Sequence, residues 1–247
     1  MFKALKTILA GILAAMIVVA IGAGAYTAFA APDSNVYQIA TNGYGNGGNG
    51  TGVSVLDIPI SDLTADEAAA LLFVREEEKL ARDVYATLYS TWGIQAFSNI
   101  ASSEQMHMDE IKALLDRYTL NDPALAPGQF TNPDLQALYT QLVAQGKTSL
   151  AGALKVGAAI EEIDIRDLQT RLSQTDNADI QQVYTNLMNG SYNHLKAFTG
   201  VLLTQTGETY QPQYLGAEQY QTIVVQGGQG NGRQGGGFGN GYGGRNH

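Results

Sequence analysis

The chain has 247 residues, is 45% hydrophobic and contains no cysteine. The missing cysteine excludes disulfide frameworks, thiolate metal sites and cysteine nucleophiles, and leaves carboxylate and imidazole as the strong metal ligands. With 14 Lys and Arg against 23 Asp and Glu, the net charge is −9; no basic stretch follows residue 6, which argues against nucleic acid as a partner.

Lys3 and Lys6 precede an uncharged apolar run from Ile8 to Ala30 that closes on the small-x-small site Ala28-Phe29-Ala30. This is the pattern of an export signal. The run is long enough, at about twenty residues, for an uncleaved membrane anchor to be its rival. Either way the rest of the chain is expected outside the cytoplasm, extracellular or in the cell envelope, touching a membrane only through residues 1–30. Residues 31–60 contain NGYGNGGNGTG and read as a flexible spacer, and residues 227–247 as a glycine-rich tail. His247, at its end, is expected to be free.

Between these flanks, 61–203 reads as one helical domain. Thr64 and Glu67 have capping-box spacing and open a helix that runs to about Ser90, where Thr-Trp-Gly stops it. A second helix is expected from Gln95 to Tyr118. Pro123 and Pro127 mark a loop, and Asn132-Pro133 starts a short helix to Gln145. Ser149 opens a third long helix ending near Leu172. Asp176 or Asn177 opens a fourth, ending near Thr199 with Gly200 as its stop. The expected fold is all-α: an antiparallel four-helix bundle in up-down-up-down order, with 133–145 inserted between its second and third helices. Residues 204–226 are expected to pack on its outside, with Thr-Ile-Val-Val (222–225) extended.

Spacing of three and four places polar groups among the apolar ones of each long helix. The second helix presents Ile100, Glu104, His107, Ile111 and Leu114 on one face. On the first, one stripe turns Glu78 inward and a neighbouring stripe turns Glu77 inward, and periodicity does not separate them. The third carries Glu161 with Asp164 one turn beyond, and the fourth carries His194. Each alone has a plain structural explanation. Glu77 and Glu78 sit in Arg-Glu-Glu-Glu-Lys, which reads as a solvated charge run; Glu161 and Glu162 adjoin other charges; His194 could bond Tyr184 or a carbonyl in a metal-free core. Carboxylates buried in a bundle core cost several kcal/mol each unless paired or bound to a cation. Four carboxylates, Glu78, Glu104, Glu161 and Asp164, with His107 and His194, match two divalent cations.

These residues also carry a resemblance. Glu78-Lys-Leu-Ala-Arg-Asp-Val-Tyr85 resembles the first helix of rubrerythrin-type ferritin-like proteins, and Glu104-Gln-Met-His107 their second-helix motif. More closely, the segment from about Leu63 to Phe198 resembles the ferritin-like family catalogued as domain of unknown function number 2202, through REEEKLARDVY, SSEQMHMDEIKALLDRY, NPDLQALY and GAAIEEIDIRDL. The resemblance implies a carboxylate-bridged di-iron site, with Glu78 rather than Glu77 on the first helix, Glu161 on the third and Asp164 as an additional or exchangeable ligand. Iron is the first expectation, manganese and zinc the alternatives. One departure stands out: the fourth helix of such proteins supplies a glutamate as well as a histidine, whereas Gly190, Ser191, Tyr192 and Asn193 precede His194 here.

Two irons so held would permit reduction of dioxygen or peroxide, or oxidation of ferrous iron. Tyr85, in phase with Glu78, is the candidate catalytic side chain, as a hydrogen-bond donor to a ligand or a redox-active phenol; packing is its plain alternative. A rubredoxin-like iron is excluded without cysteine, so turnover as a peroxidase needs an external electron donor. A non-catalytic metal-sequestering module and a metal-free structural bundle are the rival functions. The sequence leaves a homodimer open.

Overall fold

The computed structural model describes residues 55–226. The expected signal or anchor, most of the spacer and the glycine-rich tail lie outside the described residues. Among the described residues, no helix is long and apolar enough to cross a membrane.

Helix α1, Ala65–Trp92, starts at the reciprocal capping box: the Glu67 amide donates to Thr64 Oγ1, and the Thr64 amide donates to the Glu67 carboxylate. Helix α2 spans Gln95–Arg117. Asn132 caps the short α3, Pro133–Gly146, by accepting from the Asp134 and Leu135 amides, and proline fills its first turn, where no amide donor is needed. Ser149 caps α4, Leu150–Leu172, and α5 spans Ala178–Thr206. A short α6, Ala217–Gln221, continues into a π-helical turn, Thr222–Gln226.

The four long helices form the expected bundle, with α1 packed chiefly on α2 and α4 on α5. Two apolar clusters divide its interior. One gathers the C-terminal half of α1, the start of α2, the first half of α4 and the end of α5; the other gathers Leu71 and Val74 of α1, Ile111 to Leu115 of α2, Leu168 of α4 and Ile180 to Leu187 of α5. Neighbouring helices are therefore antiparallel, but α2 and α4 run the same way, and the chain order is up-down-down-up. The expected alternation is corrected by the connection from α2 to α4, which returns along the bundle and carries α3 with it. One long crossover of this kind is the ferritin-like arrangement.

Two local expectations also change. Helix α5 passes through Gly200, because Leu202 continues its apolar stripe into the core, and it ends at Gly207, whose φ of 75° terminates it in the left-handed region. Residues 222–225 are helical rather than extended, and Tyr210, Leu215, Tyr220 and Ile223 pack into the larger apolar cluster.

The charge run of α1 is buried, not solvated. Arg75 donates to Asp122 and to the Met108 carbonyl, Glu76 accepts from the Thr131 and Asn132 amides, and Asp83 accepts from the Gly128 amide. Lys79, with no exposed surface, donates to Asp83 and to the carbonyls of Ala126 and Gln129. Each charge thus has the partner that burial requires, and together they strap residues 122–132 across α1.

Candidate metal centre

On every long helix the polar residue predicted to face inward sits where the two apolar clusters meet. Glu78 follows Val74 and precedes Ala81, Glu104 and His107 lie between Ile100 and Ile111, Glu161 follows Ala158, and His194 precedes Leu195. Helical spacing turns these side chains inward: Glu78, Glu104 and Glu161 are at most 2% exposed, and His107 and His194 at most 7%.

They form two triads, Glu78–Glu104–His107 and Glu104–Glu161–His194, whose ligand-competent atoms lie within 4.8 Å of one another. Both are divalent-metal-binding arrangements, and Glu104 is common to them. His107 Nδ1 is 2.7 Å from Glu104 Oε2 and 3.1 Å from Glu78 Oε2. His194 Nδ1 is 2.8 Å from Glu104 Oε1 and 3.5 Å from Glu161 Oε2. The two rings stand 5.5 Å apart, centroid to centroid.

The donor set fits cations better than it fits itself. Glu104 Oε1, Glu161 Oε2 and His194 Nδ1 are buried without a hydrogen-bond partner. The 2.8 Å approach of His194 to Glu104 lacks hydrogen-bond alignment; three orphaned ligand atoms facing one another are what a shared ion would satisfy. The other nitrogen of His194 is engaged: Nε2 lies 2.9 Å from Ser103 Oγ. That contact fixes the ring and leaves Nδ1 toward the carboxylates.

Protons occupy the metal-free cluster. Burial raises Glu78 and Glu161 to about 7 despite the neighbouring histidines, while burial of Glu104 is outweighed by His194 and His107, which pull it down to about 2. Burial would lower both histidines, yet the surrounding carboxylates lift His194 to about 10 and His107 well above its ordinary value. Divalent cations entering the cluster displace these protons, so loading strengthens as pH rises.

The remaining sequence candidates have separate surroundings. Tyr85 is fully buried and donates to Glu161 Oε1 at 2.6 Å, while its ring packs on Phe198. Its packing and its contact with a candidate ligand coexist. Asp164 is buried but stands outside both triads, close enough for its charge to act on Glu161, Glu78 and Glu104. Glu77 points instead to Asp167 and Arg171, away from the triad that contains Glu78. Glu162 accepts from Tyr210 Oη and from the Gln213 and Tyr214 amides, anchoring the C-terminal segment.

Two residues escaped sequence reasoning. Ser103 gains its importance only from the approach of α5. Gly190 is required because a Cβ there would stand 2.3 Å from His107 Nε2. A glycine inside a long helix was the available signal. Ser191, in the place of the missing glutamate, is 1% exposed and donates to the Leu187 carbonyl of its own helix.

Comparison with known proteins agrees with this architecture. The family model described as "Uncharacterized protein domain (DUF2202)" matches residues 67–227. "Uncharacterized protein MJ0754" of Methanocaldococcus jannaschii is 48% identical over 172 residues, covering 69% of this chain and 92% of that protein. The crystal structure of hypothetical protein MJ0754 from Methanococcus jannaschii matches with a TM-score of 0.66 and 48% identity, covering 68% of this chain and 96% of that one.

Proposed function

The chain belongs to the family of the uncharacterized protein domain DUF2202, and on that premise we propose that it is an exported di-iron protein that oxidises ferrous iron or reduces dioxygen or peroxide. The observation carrying this reading is Glu104, a buried carboxylate shared by two Glu/Glu/His triads. Oxygen and imidazole donors suit iron, with manganese and zinc as alternatives. Iron bound there would supply the electrons for reducing an oxidant.

The protein's own contribution is to hold the ligands and exclude water. Glu78, Glu104 and His107 serve one ion, and Glu104, Glu161 and His194 the other, with Asp164 in reserve as an exchangeable ligand. Tyr85 holds a proton against Glu161 Oε1 and is the candidate catalytic group. Ser103 fixes His194. An external donor returns electrons, since the chain has no cysteine for an iron–thiolate relay. Export rests on the pattern of residues 1–30.

The test is an anaerobic titration of the purified chain with ferrous iron, followed by air, recording bound iron and oxygen uptake. Two irons per chain with rapid uptake are expected. Two irons with slow, stoichiometric oxidation would replace the enzyme by a sequestering module. No binding above background, in wild type and Glu104→Ala alike, would remove the metal reading.

A further inference from the structure

A cavity of about 10 Å³ lies beneath the inserted helix, between α1, α3 and α4; it has room for one molecule about the size of water. Leu135, Leu138 and Leu142 roof it from α3, while Leu80 of α1 with Ile160 and Ile163 of α4 form the walls. The roof residues follow helical spacing, so α3 presents one apolar face to this space. Two carboxyl groups, Glu77 and Asp164, complete the lining.

Those two carboxyls differ. Glu77 is turned to Asp167 and Arg171, whereas Asp164, 3% exposed, faces the charges of Glu77, Glu161, Glu78 and Glu104. A buried water needs two to four polar partners, and here six of the eight lining side chains are aliphatic. Asp164 is also one helical turn from Glu161, and its charge reaches Glu78, Glu104 and Glu161. The cavity therefore adjoins the candidate metal pair, with Asp164 at the wall between them.

We infer that this cavity is a binding chamber for a single apolar diatomic molecule, dioxygen, held beside the metal pair beneath α3. The aliphatic lining favours a weakly polar occupant over water, and the volume rejects larger organic molecules. The assignment of dioxygen as the occupant rests on the proposed oxygen chemistry; the cavity's preference for an apolar gas does not.

The metal-free full-length chain, labelled at Leu and Ile methyl groups, is placed under oxygen and then under argon, and methyl relaxation is measured by NMR. Paramagnetic enhancement should be several-fold larger at Leu135 and Leu142 than at Leu114, Leu115 and Ile180 of the other apolar cluster, all of them at most 1% exposed. Leu138→Phe should abolish that difference. In the iron-loaded protein the same variant should keep its metal content and consume oxygen about tenfold more slowly, a barrier change of about 1.4 kcal/mol. Equal enhancement at both methyl sets, or a long-lived water contacting these methyls, would overturn the proposal. Chains that bind no iron but show the selective enhancement would refute the di-iron reading while leaving a gas chamber.

Discussion

Replacing Glu104 by glutamine in the metal-free protein tests the electrostatics of the site apart from its metal. The carboxylate faces two histidine nitrogens, at 2.7 and 2.8 Å. A glutamine has the same shape but one acceptor oxygen and no charge, so one imidazole meets an amide N–H and both lose the shared counter-charge. Glu104 is displaced from 4.5 to about 2, which corresponds to about 3 kcal/mol of preference for its charged form. Removing one partner of a buried ion pair typically costs about 3–5 kcal/mol, so a loss of about 3 kcal/mol is expected. The pH window follows from both partners. Glu104, lowered from 4.5 to about 2, contributes fully above 4.5 and loses its contribution as pH falls through about 2. His194, raised from 6.5 to about 10, contributes fully below 6.5 and loses its contribution as pH rises through about 10. The penalty should therefore be largest between pH 4.5 and 6.5 and shrink on either side. Denaturant unfolding in the presence of a chelator, at pH 6 and at pH 9, measures it. A variant as stable as wild type at pH 6 would refute the account of a charge-paired cluster.

Gly190→Ala should displace His107, because the new Cβ would stand 2.3 Å from its Nε2; one metal should be lost and the other kept, as counted by metal analysis, with about 1–3 kcal/mol lost to overpacking. Ser191→Glu should restore a carboxylate one turn before His194, tightening the second metal in calorimetric titration while destabilising the metal-free chain. Lys79→Ala removes one of the two cationic partners of Asp83, which keeps Arg82, and frees the Ala126 and Gln129 carbonyls. It should cost about 1–3 kcal/mol and raise amide exchange across residues 122–132, whereas unchanged exchange there would contradict the strap.

The elements that carry their own signals were readable from the sequence. Thr64 with Glu67, Asn132 with Pro133 and Ser149 mark helix starts through local chemistry, and the structure has those caps. The inward positions of Glu104, His107 and His194 follow from spacing of three and four among apolar residues. Helix direction was not readable, because a 32-residue connection between Arg117 and Leu150 can end at either end of the bundle. The burial of Arg75 and Lys79 was also hidden, since their partners in the returning loop lie 47 to 50 residues further along. Charge spacing on α1 shows a polar run, and only the returning loop converts it into an interior strap. Ser103 is invisible for the same reason: its partner His194 is 91 residues away on another helix.

The most direct test of the central claim is anomalous diffraction from crystals of the full chain grown with ferrous or manganous ion. The account predicts two peaks inside the bundle, one in the Glu78–Glu104–His107 triad and one in the Glu104–Glu161–His194 triad, with Glu104 between them and both lost in Glu104→Ala. A bundle with no interior peak, or with ions bound only at surface carboxylates, would contradict it.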